Sequence, residues 1–344
     1  MRRVCVVCML WICAFGAPGE ELYPKHATAA SQRAVKRGLD YLAKSQGGDG
    51  NWIDTNDGQS YPITMAALSG MAFLAHGDTP SRGPYADNIR KTVQYLLGNA
   101  RPSGIITGPT EELGRPMYGH GFSMLFLAQC YGMETNERTR KEMRKVINEA
   151  ILLTARGQSA AGGWTYTPGG GDEGSVTVTQ IQGLRAAHNA GFTVPKGTIE
   201  MAVKYLEMCK TPEGGIVYSL GSGGEPRPAI SAAALATLYN AGEYDSRLAD
   251  DCLKYVSKVF GLNKNDWNKQ TGHDFYSHLY ASQAFYQAGD KYWDEYYPAT
   301  RDQLVRQQGA DGSWGVSEVG PVYGTAIASI ILQLPYKYLP IYQR

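Results

Sequence analysis

The feature that most constrains this chain is a short turn that recurs six times along it. Three copies end in tryptophan, with sequences Gln-Gly-Gly-Asp-Gly-Asn-Trp at 46–52, Gln-Ser-Ala-Ala-Gly-Gly-Trp at 158–164 and Gln-Gly-Ala-Asp-Gly-Ser-Trp at 308–314. Weaker copies lie at 103–106, 213–216 and 265–267. The copies end at residues 52, 106, 164, 216, 267 and 314, so the spacing is 47 to 58 residues. Such periodicity is typical of helical repeats, which bury their apolar faces against their neighbours.

The segments on the two sides of each turn differ in hydropathy. The segment before a turn has apolar residues at helical spacing with Lys and Arg between them, as at 35–42 and 89–97, which indicates a half-exposed helix. The segment after a turn is apolar on nearly every side, which indicates a buried helix. One helix of each kind per repeat predicts an all-α fold with two concentric rings, an α/α toroid (α6/α6 barrel) of six helical hairpins.

Residues 17–344 are predicted to form one domain, because no linker or charge run divides them. Its repeats are predicted near 32–77, 86–133, 140–192, 195–244, 246–289 and 295–339. We predict a structural role for Trp52, Trp164 and Trp314, as wedges between successive hairpins. The tyrosine-rich segment 335–342 is predicted to form an arm over the last repeat.

Residues 1–16 have the pattern of a secretory signal peptide: a basic start, an apolar run at 4–15 and small residues after it. The run is too short to cross a bilayer, so we expect cleavage, no membrane span afterwards, and a periplasmic or secreted protein. Cleavage would leave Cys130, Cys209 and Cys252, an odd set that favours buried free thiols over disulfides. With 33 basic and 32 acidic residues, the chain has no basic excess, which argues against a nucleic-acid partner.

The turns that end at Trp52 and Trp314 resemble the QW motif of the squalene-hopene and terpene cyclases. The segment 323–326, Tyr-Gly-Thr-Ala, resembles the start of an inner helix in that superfamily, whose toroid is shared with protein prenyltransferase β subunits and complement-like thioester domains. The resemblance covers nearly all of residues 17–344. It implies a central funnel lined by the N-terminal ends of the inner helices, but a shared fold does not establish the chemistry.

The residues that would line this funnel are polar or aromatic and lie where the predicted inner helices begin. The candidate ligand-binding residues are Tyr61, Tyr118, His120, Gln180, His273, Tyr276, His278, Tyr280 and Tyr323. Class II cyclases protonate an alkene with an acid from an Asp-x-Asp-Asp motif, which this sequence lacks. Asp274 is the best single candidate for a catalytic acid, and the alternative is that it caps its helix.

A zinc site is a weaker alternative, and the primary expectation is that no cofactor is bound. The segment 274–278 resembles the Asp-Phe-Tyr-His segment of prenyltransferase β subunits, where the His binds zinc, but Ser277 stands at that position and His278 follows it. Asp250 and Cys252 could supply a carboxylate and a thiolate. The other interpretation of His278 is a hydrogen-bonded residue of the funnel wall.

Three classes of function remain open at this point. The first is a protein that handles an apolar, isoprenoid-like small molecule, with or without turnover. The second is a non-catalytic toroid that binds another exported protein. The third is a polysaccharide-active enzyme, which needs a pair of carboxylates across a cleft.

Overall fold

The computed structural model describes residues 23–56, 59–112, 114–261, 273–315, 317 and 319–343. The predicted signal peptide and the turn copy at 265–267 lie outside the described residues. Thirteen α-helices account for most of the described chain, and twelve of them alternate between an inner and an outer layer.

The six inner helices are α2 (Pro62–Ala75), α5 (Pro116–Tyr131), α7 (Gly174–Asn189), α9 (Pro228–Asn240), α11 (Asp274–Ala288) and α13 (Pro321–Gln333). The six outer helices are α1 (Ala29–Ser45), α3 (Ala86–Gly98), α6 (Glu137–Arg156), α8 (Lys196–Met208), α10 (Arg247–Phe260) and α12 (Asp290–Gln307). The remaining elements are a two-stranded antiparallel hairpin of β1 (Thr55–Asn56) and β2 (Gln59–Ser60), the single turn α4 (Pro109–Glu112), and the 3₁₀ turns η1 (Leu334–Tyr336) and η2 (Pro340–Tyr342).

The inner helices form a closed ring. Each inner helix contacts the next one along the chain, and α13 packs against α2. The first outer helix, α1, packs against α12 and α13, so the first repeat contacts the last one. The predicted all-α toroid is therefore confirmed.

The two layers differ in burial as their sequences require. Every residue of α2 is buried, because the helix is covered by its ring neighbours and by the outer layer. The outer helix α10 buries only one stripe, which runs from Leu248 through Cys252 and Val256 to Phe260. This three-to-four-residue spacing keeps its charged residues on the solvent side. Cys130, Cys209 and Cys252 are buried and free. No helix in the described ranges is long and apolar enough to cross a bilayer.

A glycine in each described turn lets the hairpins approach each other. Gly162 has a φ of +100°, and a Cβ at this position would collide with the backbone carbonyl of Met201 in α8. Gly312 has a φ of +92° and makes the same approach to Arg37 of α1, which joins the last turn to the first helix. Gly50, Gly104 and Gly214 occupy equivalent places. Only glycine combines this backbone conformation with so close a contact.

In each turn that ends in tryptophan, the glutamine bonds to the next outer helix around the ring, and the tryptophan bonds to the outer helix that precedes the turn. Gln158 Nε2 donates to the carbonyl of Gly162, 2.7 Å away, and to that of Thr198 in α8, 2.9 Å away. Trp164 Nε1 donates to the carbonyl of Thr154 in the preceding helix at 2.8 Å. The turns at 46–52 and 308–314 repeat both patterns. Trp52, Trp164 and Trp314 are almost completely buried, which agrees with a structural role.

Residues 335–343 form an arm across the C-terminal ends of the inner helices. The 3₁₀ turn η2 reaches α7, on the far side of the ring from α13. Ile341 and Tyr342 are buried there, and Gln287 Nε2 donates to the carbonyl of Gln343 at 3.5 Å. The sequence predicted an arm over the last repeat. In the structure the arm extends beyond that repeat and spans the ring.

Candidate functional site

The N-terminal ends of four inner helices bring three tyrosines and a serine together at one end of the ring. The hydroxyl of Tyr118 in α5 is hydrogen-bonded to Ser175 Oγ in α7. The hydroxyl of Tyr276 in α11 donates to the carbonyl of Ser175 at 3.3 Å. Tyr323 of α13 lies close enough to raise the pKa of Tyr276 electrostatically, although burial of the Tyr276 hydroxyl is the larger cause of the shift. We call this group of four residues, Tyr118, Ser175, Tyr276 and Tyr323, the mouth.

Two further tyrosines extend the mouth outward. The hydroxyls of Tyr166 and Tyr218 are hydrogen-bonded to each other, and the Tyr166 ring lies 5.9 Å from that of Tyr118. Arg115 places its guanidinium carbon 4.6 Å from the centre of the Tyr166 ring, a cation–π contact. Both tyrosines are partly buried. The outer edge of the mouth is therefore a tyrosine surface with one cation against it.

The loops that carry these tyrosines also bond to the inner helices. The amide of Met117, in the first turn of α5, donates to the carbonyl of Tyr166 at 3.1 Å. The amide of Gly174, which begins α7, donates to the carbonyl of Tyr218 at 2.8 Å. The first amides of a helix have no partner within it, so each loop satisfies the inner helix of the preceding repeat. Neither tyrosine was predicted from the sequence. The available signal was their shared position, two residues after the end of a turn.

Three buried carboxylates cap inner helices at the same end. Asp54 accepts from the amide of Tyr323 in α13 at 3.0 Å, and Glu111 accepts from the amides of Ile63 and Thr64 in α2 at 3.2 Å. Glu173 accepts from the amide of Ser175 in α7 at 2.9 Å. A carboxylate is favoured here because the first turn of a helix presents free N–H groups and a partial positive charge.

Burial changes the acidity of these carboxyls. Desolvation raises the pKa of Glu111 to about 7, against the opposing effect of hydrogen bonds from Thr64, Gly108 and Ile63. Burial also raises the pKa values of Glu173 and Asp54. Both oxygens of Glu111 already accept hydrogen bonds from the protein. These carboxyls are therefore engaged as helix caps.

Asp274 begins α11 at the mouth end and is half-buried. The capping position itself is held by His273, which is exposed and has a φ of +71°. The predicted alternative for Asp274 is helix capping, whereas the structure places His273, one residue earlier, at the capping position. Asp274 lies in the first turn, where a negative charge is favoured by the helix dipole.

His120 lies between the two layers of the ring and not in the mouth. Its Nδ1 accepts from the amide of Ile106 at 3.1 Å, and its Nε2 is 3.0 Å from Thr154 Oγ1. In other turns a hydroxyl takes this place, as Thr325 does by accepting from the amide of Trp314. Burial lowers the pKa of His120 to about 4, so its ring is neutral at pH 7. Its predicted role as a ligand-binding residue becomes a turn-stabilising one.

His278 faces the outer layer. Its Nδ1 is 2.6 Å from the hydroxyl of Tyr296 in α12, and its ring lies edge-on to Phe260 of α10. Burial lowers the pKa of His278 to about 3. Cys252 is buried on α10 and Asp250 is exposed, and the part of the chain that the structure describes holds no group of three His, Cys, Asp or Glu residues that could bind a metal. The structure does not assemble the alternative zinc set.

The remaining predicted residues line different depths of the ring. Tyr61 is partly buried just before α2. Gln180 Nε2 donates to the carbonyl of Met117 at 2.7 Å and so ties α7 to α5. Tyr280 is fully buried one turn below Tyr276, with the two rings 4.7 Å apart.

Polar side chains occupy the axis of the ring below the mouth. Tyr276, Tyr280, Gln283 and Gln287 are three or four residues apart and share one face of α11. Along this face Tyr276 bonds to α7, Gln283 Oε1 accepts from Gln182 Nε2 of α7 at 2.8 Å, and Gln287 bonds to the arm. The axis is thus crossed by hydrogen-bonded side chains, where the resemblance implied a central funnel.

No protein-family model matches the sequence, and no curated protein matches it significantly. Solved structures match over most of its length. The type II terpene cyclase MstE from Scytonema has a TM-score of 0.62 and 14% identity, over 91% of this chain and 100% of the cyclase. A GH76 α-mannanase from Bacteroides thetaiotaomicron has a TM-score of 0.64 and 11% identity, over 89% of this chain and 96% of the mannanase. The shared feature is the α/α toroid.

The two kinds of neighbour act on chemically different ligands. One MstE structure contains geranylgeranyl dihydroxybenzoate, described as substrate. An inactive variant of an α-1,6-mannanase from Salegentibacter, with a TM-score of 0.63 and 10% identity over 88% of this chain and 98% of the mannanase, contains α-1,6-mannotriose. At these identities the likeness shows the fold, and the ligand has to be argued from the mouth itself.

Proposed function

We propose that this protein is an exported binding protein that holds an apolar, isoprenoid-like molecule against the tyrosine rings of the mouth. The observation that carries the proposal is the convergence of Tyr118 of α5 and Tyr276 of α11 on Ser175 of α7. Hydrogen bonds to Ser175 engage the hydroxyls of Tyr118 and Tyr276, and their rings contact those of Tyr166 and Tyr280, so the ligand would lie against the ring surface that these contacts leave. Aromatic rings that converge at the end of a helical ring are a typical wall for an apolar ligand.

The proposal is for binding, without turnover. A class II cyclase needs a carboxylic acid that can deliver a proton. Glu173 is a buried carboxyl that interacts electrostatically with Tyr118 and Tyr276, and its oxygens accept hydrogen bonds from the amide and hydroxyl of Ser175. Burial raises the pKa of Glu173 and these bonds oppose that shift, and they leave both of its oxygens engaged as a cap. Export, the other element of the proposal, rests on the sequence of residues 1–16.

The MstE complex supports an isoprenoid-like ligand, because a toroid of the same architecture accommodates a geranylgeranyl group. A carbohydrate is the second candidate, favoured by the partly buried pair Tyr166 and Tyr218 beside Arg115. Tyrosine rings also stack on sugar rings, and a mannanase of this fold holds mannotriose. The two candidates differ in whether the ligand presents a hydrocarbon chain or hydroxyl groups.

Calorimetric titration with geranylgeraniol and, separately, with α-1,6-mannotriose distinguishes the candidates. We expect geranylgeraniol to bind and Tyr118→Ala to weaken this binding by about tenfold or more, because a large apolar contact is lost. Tyr118→Phe keeps the ring and should retain binding. Tyr338→Ala, at the opposite end of the ring, is the matched control and should also retain it. Melting temperatures check that each variant is folded.

Binding of mannotriose alone, with loss in Tyr118→Ala, would replace the isoprenoid-like ligand by a carbohydrate. Geranylgeraniol binding that is equally strong in Tyr118→Ala would show that the ligand lies elsewhere. If neither compound binds to the folded wild-type protein, the proposal is wrong.

A further inference from the structure

Two hydrogen-bond donors lie unpartnered on the α11 face directly below the mouth. The hydroxyl of Tyr280 and the Nε2 of Gln283 are buried and make no hydrogen bond of normal length and angle within the described protein, and Tyr276 is the side chain that interacts with the Tyr280 hydroxyl. Tyr280 is 0% exposed and Gln283 is 1% exposed. Buried polar atoms are nearly always hydrogen-bonded, so each such exception requires an explanation, for example a water molecule or a ligand that is bound there.

The two donors are placed to act together. They are three residues apart on one helix, so their side chains lie on the same face, Tyr280 about one turn and Gln283 about two turns below Tyr276. Gln283 has a defined orientation because its Oε1 accepts from Gln182 Nε2 at 2.8 Å. Its amide nitrogen is therefore the free group. A tyrosine hydroxyl and an amide N–H₂ together suit an oxygen that accepts hydrogen bonds.

The charged and polar groups on this face of α11 also indicate whether the ligand is charged. Helix α11 contains no Lys or Arg that could neutralise an anion, and the buried Glu173 stands at the mouth above it. A diphosphate or carboxylate bound on this face would therefore lose its hydration without gaining a cation from α11. A pure hydrocarbon would leave both donors without a partner, which is costly. An uncharged hydroxyl or carbonyl avoids both costs.

We infer that Tyr280 and Gln283 form a head-group site for an uncharged hydroxyl or carbonyl oxygen of the molecule whose apolar body lies on the mouth tyrosines. This inference rests on the proposed function and narrows it to isoprenoid alcohols and ketones. It assigns a ligand-binding role to Gln283, whose position in the middle of an apolar segment gave no such indication in the sequence.

The experiment compares three probes with the same prenyl chain: geranylgeraniol, the corresponding hydrocarbon without the hydroxyl, and geranylgeranyl diphosphate. For the wild-type protein we expect the alcohol to bind about tenfold more tightly than the hydrocarbon, the value of one or two neutral hydrogen bonds, and the diphosphate to bind most weakly. Gln283→Met keeps the length of the side chain and removes the donors. It should reduce the preference for the alcohol to within about twofold while affinity for the hydrocarbon is kept.

Two further variants sharpen the result. Tyr280→Phe removes only the hydroxyl and should reduce the preference for the alcohol by a few fold. Gln333→Met is the matched control, because Gln333 is also a buried inner-helix glutamine with one unpartnered amide atom, but it bonds to Ala72 of α2 and lies at the other end of the ring. This variant should keep the wild-type preference. The unchanged affinity of the hydrocarbon in each variant shows that the mouth remains intact.

Equal affinity of the wild-type protein for the alcohol and the hydrocarbon would overturn the head-group site and assign the two donors to water, while the mouth proposal would stand. A preference for the alcohol that survives in Gln283→Met would also overturn it. Absence of binding by both compounds would overturn the mouth proposal, and the head-group site with it.

Discussion

The two ends of the inner ring are built from different chemistry. At the mouth end, long connections such as residues 157–173 enter the inner helices and carry tyrosines and buried carboxylates. At the opposite end, short connections such as residues 190–195 leave the inner helices, and the arm of residues 335–343 covers them with apolar side chains. The first end is organised by hydrogen bonds and the second by apolar burial.

The direction of the inner helices explains much of this difference. All six begin at the mouth, so their free amides and partial positive charges gather there and favour carboxylates, hydroxyls and loop carbonyls as partners. The opposite end collects helix C-termini, and the apolar residues of the arm cover it. Polar groups that could recognise a ligand are therefore concentrated at one end, and closure of the ring is supplied at the other.

The largest effect is expected at the apolar end. Tyr342 is 5% exposed within the arm, whereas Tyr338, four residues earlier, is 56% exposed. Tyr342→Ala should lower the free energy of unfolding by about 3–5 kcal/mol, the range for emptying a large buried aromatic site. Tyr338→Ala should change it by less than about 0.5 kcal/mol, as for most surface positions.

Urea unfolding followed by circular dichroism measures both values. If the two variants lost equal stability, the arm would not close the ring through Tyr342. If neither lost stability, the arm would be peripheral to the fold.

A smaller effect, and one that depends on pH, is expected at the mouth end. The pKa of Glu111 is about 7 in the folded protein, above its ordinary value of 4.5, because the carboxyl is buried. The folded state therefore holds an extra proton between these two values. The contribution of Glu111 to stability is therefore greatest below about pH 4.5, decreases as the pH rises to about 7, and is then constant, a change on the order of 3 kcal/mol.

The matched variant is Glu111→Gln, which cannot titrate. It should be less stable than the wild-type protein at low pH, because an amide N–H₂ faces backbone donors, and it should lack this part of the pH dependence. Unfolding free energies from urea titrations at pH 5 and pH 8 give the slope for each protein. Identical slopes would mean that Glu111 ionises as it does in water and that this cap does not differ electrostatically from an exposed one.

The repeated turn was sufficient to predict the ring, because the residues that pack one hairpin against the next recur at the same place in each repeat. A turn glycine must approach the next outer helix, and a turn tryptophan must fill the gap behind it, so both are visible as periodic residues. Whether a side chain of an inner helix points to the axis or to the outer layer was harder to predict. A helix that is apolar on every side carries no pattern that separates the axis from the outer layer, and His120 and His278 were therefore placed at the funnel when they pack between the layers.

The loop contributions to the site could not be derived from the sequence. The path of residues 157–173 depends on contacts with the next repeat, which bring Tyr166 against Tyr118. Glu111 caps α2, which begins almost fifty residues before it, through bonds to Ile63 and Thr64. Such long-range partners leave no local signal, so the tyrosine surface and the carboxylate caps were found only in the structure.

The smallest effect is expected for Asp274, and it separates the two interpretations of the mouth. Asp274→Asn removes a charge from the first turn of α11, which should cost less than about 1 kcal/mol because the side chain is half-buried and a charge at this place gains about 0.3–1 kcal/mol from the helix dipole. Binding of geranylgeraniol should change by less than twofold, since the tyrosine rings and the uncharged donors below them hold the molecule. The same urea titration and calorimetry measure both quantities on one sample. A variant that remains folded but no longer binds would make Asp274 part of the site, and it would move the mouth from a surface that binds a neutral molecule toward one that uses an acid.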